Sequence, residues 1–117
     1  MSAGIQGGQL YIGEDLLVEW GNPAVGGSGL YDNNIGSFVN DATVTWAWKD
    51  SANSAVSGGT GTASYIAGSQ GCYRGVSEDG VSFTSGSTYY LEVTATGSGD
   101  RIGFRRIQYI AKHHGSI

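Results

Sequence analysis

The chain has 117 residues, enough for one domain with its own hydrophobic core. It carries 10 acidic and 6 basic side chains, a net charge of −4. The charge is uneven: residues 1–100 sum to −8, and residues 101–117 hold four bases and no acid, +4. A lone cysteine, Cys72, excludes an internal disulfide and a cysteine-built zinc site. No apolar run is long enough to span a bilayer as a helix, and the start MSAGIQGGQLYIG lacks the basic and apolar regions of a signal peptide. A protein made in the cytoplasm, with no membrane association, is the expectation.

Glycine supplies 21 residues, but with the single proline it stays below the ~25–30% that marks disorder. The glycines therefore predict turns between short strands. Residues 1–8 read as a flexible arm. Residues 9–12 predict a short edge strand, and 15–20 a better one with Leu17 turned inward and Leu16 as a second candidate for the core. Residues 21–40, GNPAVGGSGLYDNNIGSFVN, form the longest irregular stretch, rich in chain-breaking pairs. A segment of that length predicts a surface excursion that contacts something.

Residues 41–49 alternate, with Val44, Trp46 and Trp48 on one face and Thr43, Thr45 and Ala47 on the other. Residues 55–67 predict a strand interrupted by a bulge at Gly58 and Gly59. A hairpin at 68–71 leads into a strand over 72–77, and Val81 and Phe83 tuck a connection against the core edge. Residues 88–96 give the clearest period of two, with Tyr89, Leu91, Val93 and Ala95 inward. A hairpin at 97–100 opens the last strand, whose phase slips near Arg105 and Arg106 and predicts a bulge there. A short helix over 105–112 fits the spacing less well than a strand.

About seven short strands with closely spaced turns predict an all-β, immunoglobulin-like antiparallel β-sandwich over residues 9–112, followed by a tail at 113–117. The expected core is Leu17, Val44, Trp46, Tyr73, Tyr89, Leu91, Val93 and Phe104, with Trp46 as its central filler.

Few residues of the chain stand in a pattern that carries chemistry. His113 and His114 are adjacent, so on a strand they point to opposite faces and share no metal. The sequence from Asp32 to Gly36 lacks the distal acid of a calcium loop, and turn chemistry accounts for it. The glycines at 58–61 have no lysine and helix behind them to form a phosphate cradle. No catalytic set emerges, so no enzyme, metal or cofactor is expected. Four terminal bases without an aromatic platform make a poor nucleic-acid footprint, which favours a protein partner. Candidate contact residues are Tyr31, Asn33, Asn34 and Phe38 in the long excursion, with Arg101, Arg105, Arg106 and Lys112 at the basic end.

The order ATVTWAWKD (42–50), GTASYIAGSQGCYRG (61–75) and LEVTATGSGDRIGFRR (91–106) resembles the small immunoglobulin-like virion structural proteins of tailed bacteriophages. The resemblance runs over about residues 9–112. Tyr73 and Tyr89 fit the aromatic places of the family's Gly-x-Tyr and Gly-x-x-Tyr-x-Leu-x-Val strands, and Trp46 fits its buried strand residue. The long excursion and the basic end depart from that pattern. The resemblance implies a non-enzymatic virion protein, present in several copies, that binds capsid as a decoration (cement) protein or binds neck, tail or baseplate proteins. A carbohydrate- or cell-surface-binding module of adhesin type is the alternative, with Trp48, Tyr31 and Tyr90 as a stacking platform.

Overall fold

The computed structural model describes residues 7–78, 80–97 and 100–113. They form nine strands: β1 (Gly7–Ile12), β2 (Leu16–Trp20), β3 (Tyr31–Asp32), β4 (Ser37–Phe38), β5 (Thr43–Asp50), β6 (Ala55–Tyr65), β7 (Tyr73–Ser77), β8 (Thr88–Gly97) and β9 (Asp100–His113). Seven are joined in the order β1-β9-β8-β5-β6-β7-β2, while β3 and β4 make a separate hairpin. β6 hands the chain between layers. Its residues 55–63 pair with β5, and its end, Ser64 and Tyr65, pairs with β7. One layer is thus β1-β9-β8-β5-β6 and the other β6-β7-β2, with an apolar core between them. This is the all-β sandwich that the alternation predicts.

One pairing departs from an antiparallel sandwich. β1 runs parallel to the end of β9, from Gly7 opposite Gln108 to Ile12 opposite His113. A tight turn through Gly13, whose φ of +83° favours glycine, then carries the chain to β2 on the other layer. The first segment therefore serves both sheets in turn. Gly7 and Gly8 belong to β1 rather than to an arm, and residues 1–6 and 114–117 lie outside the described residues. The expected tail likewise gives up His113 to β9.

Two tryptophans set the packing. Trp46 lies against the backbones of Gly61 on β6 and Gly75 on β7, where a Cβ on Gly75 would stand 2.6 Å from its Cζ3. Trp20 of β2 lies against Gly103 of β9, with a Cβ there 2.6 Å from its Cη2. Interior strand glycines here are slots for indole rings. Trp48 is the more enclosed of the β5 tryptophans, 1% exposed against 6% for Trp46. It meets Phe83 and Tyr109 edge-on at centroid distances of 5.0 and 5.4 Å, and Phe83 continues the cluster to Tyr89 at 4.8 Å.

Two expected core residues face solvent. Leu17 is 50% exposed, because β2 turns Val18 and Trp20 inward. Phe104 is 44% exposed, because the β8–β9 register shifts where Ala95 faces Gly103 and Thr96 faces Arg101. That irregularity falls at Ile102, earlier than the expected slip at Arg105 and Arg106. Beyond it Gly103, Arg105, Ile107, Tyr109 and Ala111 share the inward row, opposite Ala95, Val93, Leu91 and Tyr89 on β8 and Leu10 on β1. The irregularity expected in β6 is present, between the pairs Ala47–Thr60 and Lys49–Ala55.

Candidate docking site

The long excursion is pinned at both ends and projects between them. Leu30 and Val39 are buried, and Val39 N donates to Leu30 O at 2.9 Å. Leu30 N donates to Gly71 O at 2.7 Å, and Gly71 N donates to Asn40 Oδ1 at 2.8 Å. Tyr73 completes the anchor: its hydroxyl donates to Val39 O at 2.7 Å and accepts from Ala42 N at 3.0 Å. Burial pushes the Tyr73 phenol above its usual pKa, so the proton it donates stays in place through the neutral range.

From this anchor rises the β3–β4 hairpin. Tyr31 pairs with Phe38 and Asp32 with Ser37. The turn is closed by Asp32, whose Oδ1 accepts from Asn34 N and whose carbonyl accepts from Gly36 N, both at 2.8 Å. This is the side-chain turn that aspartate favours, the turn chemistry expected of Asp32 to Gly36. Tyr31 and Phe38 meet edge-on at 5.2 Å, so Phe38 props Tyr31 from behind. At the tip Ile35 is 66% exposed, beside exposed Asn33 and Asn34.

The hairpin and the start of β9 enclose a concavity of ≈ 740 Å³. Tyr31, Asn33, Asn34 and Arg101, all expected from sequence, line it together with Asp32, Ile35, Val39, Asp41 and Ile102. Arg101 lies 5.3 Å from the Phe104 ring centre and makes no ion pair among the described residues. The concavity thus combines an aromatic face, amides, two carboxylates and a guanidinium.

The other candidates lie elsewhere along β9. Arg105 sits over Trp20 at 4.2 Å, with its pKa lowered by desolvation. Arg106 covers Tyr90 at 4.1 Å and pairs with Glu92 at 3.5 Å. Lys112 is exposed opposite Tyr11 of β1. Sequence reasoning overlooked Ile35 and Asp41, although an isolated isoleucine in a polar run was the available signal. The aromatic platform of the alternative reading does not assemble. Trp48 is buried, with Nε1 donating to Ser77 Oγ at 2.9 Å, and Tyr90 already carries Arg106 on its ring.

Fold and site together define a small β-sandwich with a mixed polar and aromatic concavity beside the β3–β4 hairpin. Scans against protein-family models, curated proteins and solved structures each return no match.

Proposed function

We propose that this chain is a non-enzymatic virion structural protein of a tailed bacteriophage, docking on capsid, neck or tail proteins in multiple copies. The observation that carries the reading is the convergence of the β3–β4 hairpin and Arg101 on one concavity, with the hairpin anchored by Tyr73 rather than free. A pre-set hairpin loses little entropy when it docks. Its exposed Tyr31 and Ile35 supply apolar contact, and Arg101 supplies a guanidinium with no carboxylate partner among the described residues. Tyrosine and arginine are the residue types that dominate protein interfaces. The order of strand motifs that resembles small phage sandwich proteins supplies the particle setting.

The test is co-purification. The protein is expected in assembled particles at a fixed, repeated copy number. Recovery only as free protein from lysate, beside intact particles that lack it, contradicts the reading.

A further inference from the structure

The outward face of the larger layer gathers most of the chain's basic charge. The rows that turn away from the core carry Lys49 on β5 and Arg101, Arg106 and Lys112 on β9, four of the chain's six bases. Among the described residues, Glu92 is the carboxylate on these rows, and Arg106 holds it at 3.5 Å. Other acids stand away from this face: Glu19 is on the opposite layer, and Glu14 and Asp15 lie in the turn before it. A chain of net charge −4 thus presents one cationic surface.

Along the chain these bases have no aromatic platform, but pairing in the sheet supplies one. Tyr90 lies between Lys49 and Gln108, Phe104 opposite Thr94, and Tyr11 opposite Lys112. Phe104 and Tyr11 are 44% and 40% exposed. Arg101 stands 5.3 Å from the Phe104 ring centre. Arg106 stands 4.1 Å from that of Tyr90, and its side chain stays 41% exposed. Rings and guanidinium planes are both surfaces on which unpaired bases stack. Beside them a trough of ≈ 430 Å³ is lined in part by Thr45, Thr62, Thr94 and Lys49. Hydroxyl and ammonium groups are the donors that hold phosphate oxygens.

We propose that this face binds single-stranded nucleic acid, with bases on Phe104, Tyr11 and Arg106 and phosphates on the surrounding cations. The run from Arg101 to Lys112 spans roughly 35 Å at ~3.3 Å per residue, room for several nucleotides. A duplex fits poorly, because its paired bases present no ring face. Five strands ~4.8 Å apart also make a surface broader than the ~12 Å major groove. An acidic protein would match the charge but brings no flat bases to the rings. The face shares only Arg101 with the docking concavity, so this proposal and the docking reading stand or fall separately.

Fluorescence anisotropy of labelled oligothymidylate and oligouridylate, titrated with the full chain across a salt series, tests it. Saturable binding of one or both is expected at low salt, and the tighter of the two names the sugar. The binding constant is expected to fall about two to three decades per decade of salt, at ~0.7 for each phosphate neutralised. Phe104→Ala is expected to weaken binding at least about fivefold, the scale of one lost stack, and Phe104→Tyr to keep it. Lys112→Ala is expected to lower the salt slope by about 1. Both side chains are exposed, and circular dichroism checks the fold of each variant. If Phe104→Ala fails to fold, Lys112→Ala and a competition with base-free inorganic polyphosphate carry the reading. No binding of either oligomer overturns the proposal, as does binding indifferent to Phe104→Ala. Equally tight binding of polyphosphate, or tighter binding of a duplex, also overturns it, because charge alone would then account for the affinity.

Discussion

The Trp48 indole on β5 donates a 2.9 Å hydrogen bond to the Ser77 hydroxyl on β7, tying the two layers together through the core. Both residues are buried, with Ser77 4% exposed. Ser77→Ala leaves a buried N–H unpaired, and the expected loss is about 1–3 kcal/mol. Urea unfolding measures it. A loss within error would show that the bond contributes nothing net.

Trp46 fits only because Gly75 has no side chain. An added methyl would stand 2.6 Å from Trp46 Cζ3 and 2.9 Å from the Thr62 carbonyl. Gly75→Ala is expected to destabilise by about 1–3 kcal/mol through overpacking. Gly80→Ala, whose Cβ meets nothing within 4 Å, is the control and should fall within about 0.5 kcal/mol of the parent.

Tyr73 carries the hairpin anchor. Tyr73→Phe removes the bonds to Val39 O and from Ala42 N while keeping the ring. The expected stability cost is about 1–3 kcal/mol. Hydrogen exchange should accelerate at residues 30–42 more than in β8. Uniform acceleration across the chain would instead mean that the anchor is not local.

Alkaline pH should weaken the fold through two phenols. Burial raises the pKa of both Tyr73 and Tyr109, so each holds its proton longer folded than unfolded. Their contribution is fully present below the ordinary tyrosine value of ~10. Above it the unfolded chain ionises first, and stability is lost as pH rises through the folded values. Tyr109→Phe should make this alkaline decline shallower in urea midpoints. An unchanged slope would remove Tyr109 from the explanation.

The sequence exposed the parts of the fold that rest on alternation. In β5 and β8 the period of two runs unbroken, and Val44, Trp46, Tyr89, Leu91 and Val93 are buried as expected. Where three apolar residues follow one another, as in Leu16, Leu17 and Val18, the pattern does not fix the phase, and β2 faces the other way. In β9 a single irregularity at Ile102 reverses the parity of everything after it, so Phe104 points outward. The β3–β4 hairpin was hidden because strands of two residues have no period to read. The parallel β1–β9 pair joins segments almost a hundred residues apart in the chain, a relationship that no local signal carries. For the site, residue types pointed to the excursion and the basic end separately. Their meeting at Arg101, and the absence of Arg105, Arg106 and Lys112 from the concavity, depend on tertiary placement.

The most direct measurement is the binding of purified protein to particles that lack it, comparing the parent with Tyr31→Ala and Arg101→Glu. Saturable binding is expected for the parent, at least about tenfold weaker for each variant, as for residues central to an interface. Thermal unfolding should remain unchanged, because both side chains are exposed. Equal binding by all three proteins, or no binding by any, would contradict docking through the β3–β4 hairpin and Arg101.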